Sequence, residues 1–370
     1  MSDPSQDDPL LDAISNTLPA LLNVLEALGF IARHLHPPVL SDVLNAVGEI
    51  GAPLQSSLAD FEALEWPEHL TQFHARVTSA SEAALKAIEG LEAAKVDPNG
   101  IMGAYKALGY QATATEALYP IARMLPPVNR FFLSEADRQN EALLQKLENA
   151  NIDRENVGVM HANNERKDLG GFSVYVPEYY DETESYPLIM ALHGGSGHGR
   201  SFLWSWLKEA RGRGAILVSP TSVGPTWSLT GPDVDTENLS RILGFVKEEW
   251  NVDENHVLLT GMSDGGTFSY VSGLLPDAPY THLAPFSASF HPMLLEFVEE
   301  SRIKDLPIYL SHGALDWMFP VDIARTAHKA LKGADAAITY SEVADLSHTY
   351  GREENAKIMD WFLGAERSAG

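Results

Sequence analysis

The sequence predicts two parts, an all-α helical domain followed by an α/β domain with a mostly parallel sheet. Up to about residue 150, apolar residues recur three or four positions apart, the spacing of an amphipathic helix. After about residue 155, short β-branched and aliphatic runs alternate with helix-length segments. We therefore expect a helical accessory domain over residues 1–150 and an α/β domain over residues 151–370.

Prolines and polar residues divide the helical part into segments. The first apolar stripe comprises Leu11, Ile14, Leu18, Leu21, Leu25 and Leu28. Trp66-Pro67 indicates the start of a further helix, and Pro126-Pro127 indicates the end of another. Ser134 and Asp137 are typical of the start of a last helix. Because there is no fixed repeat period, we expect a helical bundle rather than a solenoid.

The helical stripes require a surface to bury against. Three arrangements meet this requirement: a self-contained bundle, pairing with a second copy of the chain, or packing over the strand ends of the α/β domain as a cap. The apolar segment 18–31 favours a cap combined with a homodimer, because it exceeds what short helices hide among themselves.

Seven strands are predicted in the α/β domain, several of them continuous apolar runs. Such runs indicate strands buried on both faces, joined by helical crossovers into a parallel sheet. Ligands bind such sheets at the carboxyl ends of the strands, where we expect the functional site. The predicted strands are 172–176, 188–192, 216–219, 257–260, 283–286, 308–311 and 338–343.

A serine motif follows the predicted strand 257–260. Gly261-Met262-Ser263-Asp264-Gly265-Gly266 leads into a helical stretch, the strand-turn-helix setting of a nucleophile elbow. We expect Ser263 to present its hydroxyl to the cleft, and the N–H of Asp264 to stabilise negative charge on a substrate oxygen. The alternative is an ordinary tight turn, which the strand and helix on either side make less favourable.

A second glycine-rich loop, Leu192-His193-Gly194-Gly195-Ser196-Gly197, follows the predicted strand 188–192. Here we expect the second oxyanion donor, the N–H of Gly195, with Ser196 as the alternative one position later and as a substrate-binding residue. We expect His193 to brace this loop. Neither G-x-G-x-x-G nor G-x-x-x-x-G-K occurs in it, which argues against phosphate binding.

The base and the acid that would complete a triad must follow Ser263, with the acid first. Two histidines remain, and His348 is favoured over His328 because His348 lies in a loop whereas His328 lies in a predicted helix. Asp316 is the favoured acid because it follows the strand 308–311. Asp345 is the competing acid.

Two tryptophans are placed to line a substrate pocket. Trp227 lies in a long loop after a strand end, and Trp317 directly follows the predicted acid. The alternative for each is packing in the core.

Composition excludes several kinds of site and partner. The chain has 26 Lys+Arg against 51 Asp+Glu, a formal charge of -25, which disfavours nucleic acid as a partner. No cysteine is present, and His34-Leu35-His36 lacks the further ligand of a metal site, so we expect no metal and no cofactor. The acidic start and the lack of eighteen consecutive apolar residues predict no signal peptide, no membrane span and a cytoplasmic protein.

From about residue 170 to 365, the chain resembles the α/β-hydrolase esterases of the phospholipase/carboxylesterase, feruloyl-esterase and polyhydroxybutyrate-depolymerase-like group. The motifs that carry the resemblance are Leu192-His193-Gly194-Gly195, Trp227, Asn251-Val252-Asp253 with the Ser263 motif, Ser311-His312-Gly313 before Asp316, and His348. The resemblance implies an α/β-hydrolase fold, ester hydrolysis without a cofactor through an acyl-enzyme, and a catalytic triad of Ser263, Asp316 and His348. The motifs do not specify a substrate, and we expect a small-molecule ester.

Two alternatives to a small-molecule esterase stay open. A polyester depolymerase or a peptidase would use the same triad with another leaving group. A catalytically silent binding protein would keep the fold alone, since fold does not prove function.

Overall fold

The computed structural model describes residues 8–97, 99–151 and 154–364, which form two compact units. The first unit ends at Phe132 and the second begins at Leu133, whereas the sequence suggested a boundary near residue 150. The difference has a physical reason. Four leucines that precede residue 150 are buried together in the second unit, with Tyr179 packed against them: Leu133, Leu143, Leu144 and Leu147. The acidic start, residues 1–7, lies outside the described residues.

The first unit is helical. Its α-helices are α1 (Pro9–Arg33), α2 (Leu40–Val47), α3 (Gly51–Glu62), α4 (Thr71–Ala94), α5 (Gly100–Leu118) and α6 (Pro126–Phe131). Short 3₁₀ segments lie at Pro37–Val39, Glu68–Leu70 and Tyr119–Met124. The Asp8 carboxylate caps α1 by accepting a hydrogen bond from the N–H of Leu10 (3.0 Å).

Helix α1 is long and apolar enough to cross a membrane by length and composition, the one such helix among the described residues. Core helices meet the same criteria, and α1 packs against α3, α4 and α5. Its most deeply buried apolar residues are Leu21, Val24, Leu25, Leu28 and Ile31.

Two helix ends differ from the prediction. Pro126 begins helix α6 rather than ending a helix, because a proline at the first helical position needs no N–H partner. The hydroxyl of Ser134 donates to the Asp137 carboxylate (2.6 Å) instead of capping a helix. The next helix begins at Glu141, where the Asn140 side chain accepts from the N–H of Leu143 (3.2 Å).

The second unit is an α/β structure. Its strands are β1 (Gly158–Ala162), β2 (Phe172–Val176), β3 (Tyr186–Leu192), β4 (Ile216–Pro220), β5 (Val252–Met262), β6 (His282–Phe286), β7 (Pro307–Gly313) and β8 (Ala337–Val343). Its helices are α7 (Glu141–Asn149), α8 (Gly199–Arg213), α9 (Asp235–Glu249), α10 (Asp264–Gly273), α11 (Glu300–Ile303), α12 (Asp322–Gly333) and α13 (Glu354–Phe362). A 3₁₀ segment lies at Pro292–Phe297.

The strands of the described residues form one sheet in the order β1-β2-β4-β3-β5-β6-β7-β8. Strands β1 and β2 are antiparallel to their neighbours, and β3 to β8 are mutually parallel. The predicted fold class, a helical region followed by a mostly parallel α/β-hydrolase sheet, is confirmed. In the central pair Leu192 of β3 lies opposite Gly261 of β5, so the two glycine-rich segments leave the sheet side by side.

Candidate active site

Ser263 stands between the end of β5 and the first residue of α10. Its φ of 56° and ψ of -118° are strained for a residue with a side chain. Two backbone hydrogen bonds hold this conformation: the Ser263 N–H donates to the carbonyl of Phe286 (2.9 Å), and the Ser263 carbonyl accepts from the N–H of Thr267 (2.8 Å). This sharp turn between a strand and a helix has the geometry expected of a nucleophile elbow.

Close backbone approach explains the glycine that follows the serine by two positions. A Cβ atom at Gly265 would lie 2.4 Å from the carbonyl oxygen of His193, closer than real contacts allow. Helix α10 can therefore lie directly against the end of β3 only with glycine at this position.

His348 links Ser263 to Asp316. Its Nε2 lies 3.1 Å from Oγ of Ser263, and its Nδ1 lies 2.8 Å from Oδ2 of Asp316. With the imidazole proton on Nδ1, the ring donates to the carboxylate and leaves Nε2 to accept from the serine hydroxyl. All three residues are buried, with relative exposures of 9%, 5% and 6% for Ser263, His348 and Asp316.

The carboxylate of Asp316 is fixed from both sides. Its second oxygen, Oδ1, accepts from the N–H groups of Met318 (3.0 Å) and Phe319 (2.8 Å). Burial alone would raise the pKa of Asp316, but the hydrogen bonds from His348 and Phe319 outweigh burial and lower that pKa. An ionised, fixed carboxylate holds the imidazole in one tautomer and orientation.

The competing residues lie elsewhere. His328 lies in helix α12, where its ring stacks on Tyr340 with centroids 5.0 Å apart. Asp345 is exposed to solvent, and Asp316 is the carboxylate that contacts His348. The structure therefore brings together the three residues that the sequence favoured.

The glycine-rich loop after β3 lies beside the elbow. Gly195 and Ser196 are exposed, and Ser196 has a φ of 57°. The N–H of Asp264 belongs to the first turn of α10, where helical N–H groups have no partner within their helix. His193 braces the loop: Nδ1 donates to the carbonyl of Gly194 (2.7 Å), and Nε2 accepts from the N–H of Ser222 (3.1 Å). Burial lowers the pKa of His193 to about 4.

The three residues expected to bind substrate differ in exposure. Ser196 and Trp317 are exposed, Trp317 by 41%. Trp227 is only 2% exposed; its ring stacks on Phe268, and its Nε1 donates to the carbonyl of His193 (2.7 Å). Trp227 therefore does not line an exposed pocket surface. It packs in the core, which is the alternative expected from the sequence, and it supports the loop that contains His193.

Sequence reasoning missed two polar residues next to the site. Asp235 is buried at the start of α9 and accepts from the N–H groups of Val223 and Ser228, each at 2.8 Å. The hydroxyl of Thr226 donates to Oδ2 of Asp264 (2.6 Å). Asp235 could have been found in the sequence, because acidic residues are favoured at the start of a helix. No local pattern in the sequence indicates the contact of Thr226.

Metal ligands are not clustered in the described part of the chain. No group of three or more His, Cys, Asp or Glu residues there could hold a metal ion.

Comparison with known proteins gives one family match that lies within the second unit. Residues 235–363 match a sequence model of the phospholipase/carboxylesterase family. This part of the second unit is similar to that family. The predicted resemblance to the α/β-hydrolase esterases is confirmed by this match and by the esterase sequences that follow.

A probable feruloyl esterase C of Aspergillus terreus (strain NIH 2624 / FGSC A1156) is 34% identical over 102 residues, 26% of this chain and 37% of the relative. A bifunctional acetylxylan esterase/xylanase of Neocallimastix patriciarum is 27% identical over 147 residues, 39% of this chain and 21% of the relative. Each match therefore spans well under half the length of the relative. Among solved structures, a thermostable esterase has a TM-score of 0.46 at 19% identity, covering 56% of this chain and 62% of that chain.

Proposed function

We propose that the protein hydrolyses carboxylic esters through an acyl-enzyme formed on Ser263. The observation that carries the proposal is the position of His348, 3.1 Å from the hydroxyl of Ser263 and 2.8 Å from the carboxylate of Asp316. This arrangement can activate a serine hydroxyl that is unreactive by itself.

In the acylation step, Nε2 of His348 takes the hydroxyl proton while Oγ of Ser263 forms a bond to the carbonyl carbon of the ester. The electron pair of the C=O bond moves onto oxygen, and the N–H groups of Gly195 and Asp264 stabilise the resulting oxyanion. Asp316 stabilises the imidazolium. Collapse of the intermediate breaks the C–O bond to the alcohol, which leaves with the proton from His348.

In the deacylation step, water replaces the alcohol. His348 accepts a proton from the water as the oxygen bonds to the acyl carbon, and a second oxyanion forms at the same donors. Collapse breaks the acyl bond to Ser263, and the imidazolium returns its proton to Oγ. The products are a carboxylic acid and an alcohol.

The residues on either side of Asp316 support small esters with an apolar group as substrates. Leu315, Trp317 and Met318 flank Asp316 and are 44%, 41% and 38% exposed, so they offer apolar surface near the buried carboxylate. The names of two relatives point to feruloyl and acetylxylan esters. We include both acyl types among the substrates to be tested. A cytoplasmic location and a homodimer through the helical unit are part of the same proposal.

The test is a substrate panel with active-site labelling. Nitrophenyl esters of rising acyl length, methyl ferulate, acetylated xylan, a polyester film and a peptide nitroanilide are offered to the purified protein. A fluorophosphonate probe is then mapped by peptide mass spectrometry. We expect ester hydrolysis and labelling at Ser263. Cleavage of the anilide or the polyester in preference to the esters would favour a peptidase or a depolymerase, and neither turnover nor labelling would favour a silent binding protein.

A further inference from the structure

Gly195 has no backbone reason to be glycine, because its φ lies outside the left-handed region. The reason lies in a neighbouring side chain. A Cβ atom at position 195 would lie 2.6 Å from Oδ2 of Asp264 and 3.2 Å from its Cγ, whereas real Cβ contacts essentially never fall below 3.0 Å. The carboxylate of Asp264 therefore occupies the space that a side chain at position 195 would need.

The same carboxylate oxygen is held in place. The hydroxyl of Thr226 donates to Oδ2 of Asp264 at 2.6 Å, a short hydrogen bond. Rotating the carboxylate away from Gly195 would break this bond. The carboxylate is thus a fixed spacer between the nucleophile helix α10 and the loop after β3.

Thr226 is in turn anchored on both sides. Its neighbour Trp227 is buried and donates to the carbonyl of His193 (2.7 Å). The buried carboxylate of Asp235 accepts from the N–H of Val223 and from the N–H and hydroxyl of Ser228 at 2.7 to 2.8 Å. The hydroxyl of Thr226 therefore comes from a well-braced segment.

We propose that the Asp264 carboxylate, held by Thr226, is a positioning group that sets the separation of the two oxyanion donors, the N–H groups of Gly195 and Asp264. The inference rests on the proposed ester hydrolysis, in which both donors act. Asp264 then has two roles. Its N–H binds the oxyanion, and its side chain sets the distance to the N–H of Gly195. Donor positions matter because oxyanion stabilisation depends on preorganised geometry.

A double-mutant cycle tests the proposal. Gly195→Ala is expected to lower kcat by about 100-fold, the scale for loss of one oxyanion donor, because the new methyl group displaces the loop or the carboxylate. Asp264→Ala removes the spacer and is expected to lower kcat by about 10-fold with little change in KM. In the double variant the methyl group at position 195 fills the vacated space, so we expect a loss of about 10-fold rather than about 1000-fold.

Two substitutions at Thr226 distinguish the effect of its hydroxyl group from the effect of its packing. Thr226→Val removes the hydroxyl at nearly constant shape and should lower kcat by about 10-fold, with no added loss in the Asp264→Ala background. Thr226→Ser keeps the hydroxyl and should lose less than Thr226→Val. A structural role alone would change KM and kcat together, whereas a positioning role changes kcat.

The melting temperatures of the wild type, Gly195→Ala, Asp264→Ala and the double variant give a second readout, which does not depend on activity. Gly195→Ala should lower Tm through overpacking, and adding Asp264→Ala should restore part of the loss. The positioning role would be overturned if the kcat loss of the double variant equals the product of the two single losses and its Tm loss equals their sum. If the wild type hydrolyses no ester, the proposed function fails, while the Tm cycle still decides whether Asp264 fills the space at Gly195.

Discussion

Oδ2 of Asp316 lies 2.8 Å from Nδ1 of His348, and Oδ1 of the same carboxylate accepts two backbone N–H groups. These bonds orient the imidazole and hold the pKa of Asp316 below its usual value in spite of burial. The carboxylate therefore stays ionised in moderately acidic solution.

Replacing this carboxylate tests its role. Asp316→Asn keeps the shape but reverses the hydrogen-bond preference of the side chain at His348, which favours the wrong tautomer. We expect kcat to fall by about 10⁴-fold, the scale known for such a change in a serine triad. Steady-state kinetics with a nitrophenyl ester, beside Asp345→Asn as the matched control, will measure it. Equal losses in the two variants would argue against Asp316 as the orienting acid.

The two histidines that follow the serine in sequence give a second matched pair. His348→Ala should lower kcat by several orders of magnitude, because the variant loses the Nε2 atom that lies 3.1 Å from the hydroxyl of Ser263. His328→Ala should change kcat by less than about 3-fold, because surface changes away from the site have small effects and His328 stacks on Tyr340 instead. A large loss in His328→Ala with an active His348→Ala protein would reverse the assignment.

Stability should depend on pH through His193. Burial lowers its pKa to about 4 in the folded protein, against about 6.5 in an unfolded chain. Between these two values the unfolded chain binds more protons, so stability rises with pH over about 4 to 6.5 and is lost as the solution becomes acidic. The shift corresponds to roughly 3 kcal/mol.

Urea unfolding of the wild type and of His193→Gln at several pH values measures this dependence. Glutamine cannot become charged, so the variant should be less stable at neutral pH but have a smaller slope between pH 4 and 6.5. Burial also lowers the pKa of His282 to about 4. Some dependence of stability on pH should therefore remain in both proteins. Identical slopes in the two proteins would mean that His193 does not carry this dependence.

The helical unit can be tested by truncation at the boundary that the structure gives. A fragment starting at Leu133 keeps the cluster of Leu143, Leu144 and Leu147 with Tyr179, which a fragment starting at Asn151 would lose. If the helical unit caps the site and joins two subunits, the Leu133 fragment should be monomeric beside a dimeric full chain and show an altered acyl-length profile. Light scattering and the nitrophenyl ester series check both points. If the fragment and the full chain have the same oligomeric state and the same kcat/KM, both roles are excluded.

The fold and the three central side chains follow from the sequence because their signals are local. The buried strands are continuous apolar runs, and Ser263, Asp316 and His348 each follow a strand that ends at the same edge of a parallel sheet. Strand β1 was missed. Its sequence, Gly158–Ala162, lacks a clear alternation, and the strand forms through pairing with β2 at the edge of the sheet.

Contacts between distant segments were not predictable from one sequence. Thr226 and Asp264 are 38 positions apart, and nothing near either residue indicates their hydrogen bond. Trp227 has a loop sequence around it, yet its ring is buried against Phe268 of the nucleophile helix. The domain boundary likewise depended on where four leucines pack rather than on the change in sequence pattern.

The central claim is that the hydroxyl of Ser263 attacks the ester. The most direct measurement is kcat of purified Ser263→Ala with the best ester substrate of the wild type, at matched circular dichroism and Tm. We expect a loss of roughly 10⁴- to 10⁶-fold, because the variant retains the oxyanion donors but has no nucleophile. Turnover at the wild-type rate in a correctly folded Ser263→Ala protein would contradict the account.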